Sequence, residues 1–401
     1  MTSYPNPILA PATGTTTART TSSHFADRVN VLDFGADPSG LTDSKNAINA
    51  AIVYLSGIGG GDLFFGPGSF LVSASINLLP NVNLIGSGKL VSRIFTNTPS
   101  INIISASNVN TYGIKIQGLW IYGPAAPPSS TGTGLYIDST PEFDGHLFLE
   151  DIRFENLAYG INNGSGTYAL FDSLLIKCDF IDIVAVGANF GGSGVTCLGC
   201  TFRVCGYGVE LTYVNAGSVA GVRFYGCTWI GNTFDIVDNG VKIRPTTFDG
   251  CWFEQCVTGV FATATGGAQY LQTVTFQGCL FQPSATATVN GGIMQLNTIT
   301  GILRFTACIV DRSLYASATL PDASDARLSG ANVSYSREGC TLLSAAGVVS
   351  QLSDSNSNWT VNILGVFTNR KYANDAAAGS GGLVQGDMYY NTTIPALSLK
   401  N

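Results

Sequence analysis

"FYGCTWIGNTFDI" runs from Phe224 to Ile236, "FDGCWFEQCVTGV" from Phe248 to Val260, and "FQGCLFQPSATAT" from Phe276 to Thr288. Laid one above another, they share an aromatic first residue, glycine third, cysteine fourth and an aromatic sixth. The frame extends back through "CLGCTFRVCGYGV" from Cys197, "FDSLLIKCDFIDI" from Phe171 and "LEDIRFENLAYGI" from Leu149, and forward to "FTACIV" from Phe305. Its fourth column reads Ile152, Leu174, Cys200, Cys227, Cys251, Cys279 and Cys308, in steps of 22, 26, 27, 24, 28 and 29 residues. "IQGLWIYG" from Ile116 joins it, with Leu119 fourth. A period in the twenties with strand-like content signals a solenoid.

The third column holds Gly118, Gly199, Gly226, Gly250 and Gly278, with Asp151, Ser173 and Ala307 elsewhere. Glycine suits a bend of positive φ, and Asp tolerates one. A strand, a tight bend, a second strand and a further Gly or Asn bend describe one coil of a parallel β-helix, an all-β fold. Stacked coils lie about 4.8 Å apart, so the cysteines form an interior ladder beside an aromatic one. "CLGC" at Cys197–Cys200, with Cys205 nearby, lacks a second Cys pair or His at ligand spacing, so no metal is expected there. His24 and His146 show no triad partner.

"VLDFGADPSGLTDSKNAINAAI", from Val31 to Ile52, reads as a strand, a Gly-Pro break and an amphipathic helix. Thr42 or Asp43 can cap it, Ala47, Ile48, Ala51, Ile52 and Leu55 share one face, and Gly57 supplies the stop. Such a helix would cover the unpaired first rung of the solenoid.

Composition narrows the function. Of 401 residues only 11% are charged, the net charge is −7, and no basic run or basic-aromatic patch occurs. Nucleic acid is therefore not an expected partner. No basic leader opens the chain and no eighteen-residue apolar run occurs, so neither export by a classical signal nor membrane insertion is expected. Ten cysteines in such a chain read as reduced and buried.

"VNVLDFGADPSGLTDSKNAINAAI", followed by "GGGDLFFGPGSFLVS", resembles the N-terminal signature of the pectate-lyase-like superfamily, in the branch that includes bacteriophage tail spikes. "SHFADRVNVLDFGAD" is similar to the phage pattern of a short polar arm running into this motif. "YANDAAAGSGGLVQGDMYYNTTIPALSLK" is similar to C-terminal segments of phage structural proteins. The resemblance implies a right-handed parallel β-helix, usually a homotrimer on the virion tail, that recognises and often cleaves bacterial capsule or O-antigen polysaccharide; no cofactor is expected. The expected division is residues 1–28 as an arm binding a phage tail or baseplate protein, 29–313 as the capped β-helix, and 314–401 as a β-rich trimerisation or distal module. The superfamily's calcium and arginine constellation is not visible here.

Polysaccharide cleavage needs two carboxylates or a base beside a uronate. A column through Glu155, Lys177, Arg203, Ile230, Glu254, Gln282 and Asp311 begins as a surface ion ladder. Asp249 and Glu254 flank one bend near Trp252. Glu210 and Asp235 are expected to point outward on neighbouring rungs, with Asp182 at the Asp235 position two rungs earlier. Glu210, Asp235, Asp249 and Glu254 are thus the candidate acids and bases, and Tyr207, Tyr213, Tyr225 and Trp252 the candidate sugar-stacking residues. Two readings stay open, a tail-spike depolymerase and a non-catalytic spike that only binds a glycan.

Overall fold

A computed structural model of the chain describes residues 28–107, 113–124, 131–138, 146–163, 170, 172–192, 194–212, 221–238, 242–243, 245–263, 269–282 and 299–311, with short strands outside them. They form a right-handed parallel β-helix. One continuous sheet takes the first strand of each coil, such as Thr196–Leu198, Val222–Tyr225 and Thr246–Asp249. A second sheet takes the rest of the coil, and here the fold departs from the two-strand expectation. Behind the second strand, Thr228–Ile230 for example, a further bend leads to a third, Phe234–Asp238.

Two columns of left-handed backbone make these corners. The first contains Asp151, Lys177, Gly199, Gly226, Gly250, Gly278 and Ala307, with φ between 52° and 59°. The second contains Asn156, Asp182, Val204, Gly231 and Gln255. Register corrects the sequence frame at one coil: Arg153 pairs with Asp179 and Asp179 with Thr201, so Cys178, not Leu174, continues the cysteine column, and Lys177, not Ser173, turns the bend. The ion ladder disappears with this shift. Ile181 lies between Glu155 and Arg203, and Glu155 instead accepts from Nε of Arg153 on its own strand at 2.7 Å.

The core follows from the stacking. Phe154, Phe180, Phe202, Trp229, Phe253 and Phe281 lie face to face in successive coils, centroids 4.7–5.2 Å apart. Phe224, Phe248, Phe276 and Phe305 form a parallel stack at 4.6–5.0 Å, and the two stacks meet edge-on, as ring quadrupoles favour. Between them the thiols of Cys200, Cys227, Cys251, Cys279 and Cys308 point at carbonyls of the preceding coil, 3.3–3.6 Å away. Thiol–thiol contact with the preceding coil and burial push Cys251, Cys279 and Cys308 up to about 12.

The helix spans Lys45–Gly57 and buries Ile48, Ala51, Ile52 and Leu55. Ser44 occupies the cap position without a side-chain cap bond; the Asp43 carboxylate accepts from the Lys45 N–H and holds Ser73 of the first coil. Asp37 ties the preceding loop through Ser39 and Thr42, and these hydrogen bonds lower its carboxyl to about 2. Within the segment expected to be an arm, Leu9–Pro11 and Ala18–Thr20 pair antiparallel. Past residue 313, Asn332–Glu338 and Thr341–Leu343 add another rung, which brings Cys340 to the cysteine column.

Val204 is β-branched, 53% exposed and held at φ 55°, a conformation that stores about 1–3 kcal/mol. Asparagine already serves the same corner at Asn156, so Val204→Asn is expected to raise the urea-unfolding free energy by about 1 kcal/mol. A thiol reagent on the native protein is expected to label half-buried Cys340 rapidly and the nine buried cysteines only as the chain unfolds.

Candidate functional site

In the second strand of the coil Phe253 points inward, so its neighbours Trp252 and Glu254 point out. Register sets Glu254 beside Gln282, and Gln282 beside Asp311, on consecutive coils. Trp252 is 39% exposed and its Nε1 donates to Gln282 Oε1 at 2.7 Å. Gln282 Nε2 in turn donates to Asp311 Oδ2 at 3.0 Å. Glu254 Oε1 accepts from Gln255 Nε2 at 3.3 Å. With Gln282 between them, the α-carbons of Glu254 and Asp311 stand two strand spacings apart, roughly 10 Å, near the span of an inverting acid and base. The indole offers a flat apolar platform on the same strand as Glu254, and Gln282 links it to Asp311.

The other expected pair is not assembled. Asp235 sits two residues along and one coil across from Glu210, as expected, since Glu210 pairs with Val237. Its side chain, however, is fully buried instead of facing solvent. Strict alternation fails on this strand, because Asp235 and Ile236 are both inside. The cause lies in the column: Gly160, Gly187 and Gly208 precede Asp235, and a Cβ on Gly208 would meet the Trp229 ring at 2.6 Å and the Asp235 carbonyl at 2.7 Å. Asp182, expected at the equivalent place, belongs instead to the second corner.

Asp235 Oδ1 accepts from Asn232 Nδ2 at 2.9 Å, while Oδ2 has no hydrogen-bond partner among the described residues. Burial pushes this carboxyl up to about 8, against the opposing hydrogen bonds of Asn232 and Cys256. Asn232 also receives the Cys205 N–H and donates to the Phe202 carbonyl. Asp235 is therefore part of a buried network. Glu210, half-buried, accepts from Asn189 Nδ2 at 2.9 Å, and Asn189 Oδ1 accepts from the Thr212 hydroxyl.

Asp249 and Glu254 flank the Gly250 bend, which places Asp249 on the first sheet, between Tyr225 and Gln277, and Glu254 on the second. The bend that makes them near in sequence turns them onto different faces. Tyr225 is 37% exposed beside Asp249, and Tyr207 packs edge-on against Phe234 at 5.7 Å. Tyr213 and His24 lie outside the described residues. His146 Nδ1 is 3.4 Å from the Asp172 carbonyl. Among the described residues, no three His, Cys, Asp or Glu side chains converge as a metal site, and no helix is long and apolar enough to cross a membrane. Gln282 and Asp311 share a sequence column, but the bonds from Trp252 to Gln282 and from Gln282 to Asp311 show only once the coils are in register.

The profile of the family described as rhamnogalacturonase A/epimerase, pectate lyase-like, matches residues 28–233, more than half of the chain. No curated protein matches in sequence. The tailspike protein of E. coli bacteriophage HK620, solved with a pentasaccharide, is similar in structure at TM-score 0.58 and 14% identity, over 84% of this chain and 70% of that one. The tailspike of Acinetobacter phage vB_ApiP_P1 gives 0.55 and 16%, over 81% and 62%. The A-module of the Azotobacter vinelandii mannuronan C-5 epimerase AlgE4 gives 0.50 and 15%, over 83% and 100%. At these identities the likeness is one of fold.

Asp235 sets a pH dependence whose sign is fixed. Its carboxyl titrates near 8 when folded and near about 3.9 when unfolded, so between these values the folded state binds more protons. Stability then falls as pH rises from 4 to 8 and levels above. Urea midpoints measured across that range are expected to decline in the native sequence and to lose this component in Asp235→Asn.

Proposed function

This chain belongs to the rhamnogalacturonase A/epimerase, pectate lyase-like family, and from that premise we propose that it is a phage tail-spike protein that binds a bacterial surface polysaccharide on the outer face of its rod and cleaves it there. One observation carries the reading: exposed Trp252 shares a face with Glu254 and Asp311, and Gln282 bridges the indole to the second carboxylate. A sugar ring stacked on Trp252 would place its glycosidic oxygen between the two acids. Gln282 donates an N–H to Asp311, which suits the charged partner, the base that activates water. Glu254 takes the acid's role and protonates the leaving oxygen. In the same reading residues 1–28 attach the spike to a tail or baseplate protein, the spike is a homotrimer, and residues 314–401 serve trimerisation or distal contact.

A second reading, a spike that binds without cutting, is favoured by the Asp235 geometry. The carboxylate expected to complete a pair with Glu210 is spent in the core. Both readings keep Trp252 as the sugar platform.

Capsule or lipopolysaccharide from candidate hosts, incubated with the purified protein, is expected to yield new reducing ends without unsaturated uronate absorbance. Glu254→Gln and Asp311→Asn are each expected to lower that rate about a hundredfold or more, and Trp252→Ala to weaken binding. Binding that depends on Trp252 with no product from any host would establish the second reading.

A further inference from the structure

The cysteine column runs from Cys178 to the rung formed by Asn332–Glu338 and Thr341–Leu343, and its last member differs from the rest. Cys178, Cys200, Cys227, Cys251, Cys279 and Cys308 are buried, whereas Cys340 is half-buried and packs against the same core. Of the ten cysteines it is the one a dissolved reagent can reach in the folded chain.

Register fixes its neighbour. Ile309 pairs with Thr341 and Val310 with Leu342 in a parallel ladder, so Cys308 and Cys340 occupy the same position on adjacent coils. Their α-carbons then stand one strand spacing apart, about 4.8 Å, inside the span of about 4.4–6.8 Å that a disulfide bridges. The two thiols are in contact. Cys308 is 2% exposed, and its Sγ lies 3.3 Å from the Phe276 carbonyl and 3.4 Å from that of Thr306. An oxidant therefore meets Cys340 first and finds Cys308 directly behind it. Other neighbours in the column have the same spacing, but both of their thiols are shielded.

We propose that Cys340 and Cys308 form a redox site, in which a peroxide oxidises Cys340 and Cys308 converts the product to a disulfide. The Cys340 sulfur attacks one oxygen of hydrogen peroxide and the O–O bond breaks. The other oxygen leaves as water with the thiol proton, and Cys340 becomes a sulfenic acid. The Cys308 sulfur then attacks the Cys340 sulfur, the S–O bond breaks, and the hydroxyl leaves as a second water with the Cys308 proton. The two thiols give up two electrons and the peroxide takes them. The new bond fastens the strand of Cys340 to Ile309–Asp311, the strand that carries Asp311.

Treatment of the folded full chain with hydrogen peroxide, alkylation of the remaining thiols, tryptic digestion without reductant and mass spectrometry test it. Cleavage at Arg304, Arg312 and Arg337 puts the two cysteines on separate peptides. A linked pair joining them, lighter by two hydrogens than its parts and separated by reductant, is expected, with the buried cysteines above Cys308 unoxidised. Cys308→Ala is expected to stop at a sulfenic acid that dimedone traps on Cys340. Cys340→Ala is expected to slow oxidation of Cys308 at least tenfold. In the unmodified chain, an unreacted pair, sulfinic acid on Cys340 without the link, or a link from Cys308 to Cys279 would overturn the proposal. So would oxidation of Cys308 at an undiminished rate in folded Cys340→Ala. The result on the unmodified chain decides the matter even where a variant fails to fold.

Discussion

Face-to-face stacking of like side chains, one strand spacing apart, is the constraint from which the rest of this molecule follows. A parallel ladder places residue on residue, and aromatic rings at that spacing gain both burial and ring contact. Phe202 on Trp229 and Trp229 on Phe253 are nearly parallel pairs, tilted by 13° and 14°. A slip of one residue would turn such rings outward, so the inner stack fixes the register of every outward row as well. Trp252, Glu254, Gln282 and Asp311 face one another because Phe253, Phe281 and their neighbours pile up beneath them.

The corners translate that one-dimensional order into faces. Five successive coils bend at two left-handed residues each, and glycine is only one solution. Lys177, Ala307 and Val204 adopt the same backbone with side chains attached, which shows that stacking overrides local preference. Where the chain needs room inside, glycine is not interchangeable. Gly187 and Gly208 pass within contact of the next coil's carbonyl and aromatic ring, and the next rung, which holds Asp235 instead, has an interior carboxyl.

These same features decide how much could be read from the sequence. The cysteine and glycine columns were legible because one residue type recurs at a bend and at the position after it. The coil around Cys178 was misread because Phe171 and Leu174 imitate the apolar frame four residues early, while Lys177 hides the bend. Alternation gave the correct faces for Trp252 and Glu254 but failed at Asp235, where two adjacent residues both point inward. That failure is a property of the third strand, whose existence the two-strand repeat did not reveal. The Trp252–Gln282–Asp311 chain spans residues about thirty apart in sequence, so only the register between coils brings it into view.

A rod built this way has a functional consequence that a compact enzyme lacks. Its outward rows advance by one strand spacing per coil, so a linear polymer lying along the axis meets successive rungs of one row. Such a surface can gather affinity from many weak contacts. The low charge of the chain fits that use. With 11% charged residues, long-range attraction contributes little, and contact along the rows carries the interaction. Trp120 stands at one end of one such row and Trp252 near the other, five coils on. The distance between any two points on such a row is set by the stacked core beneath it, not by a loop.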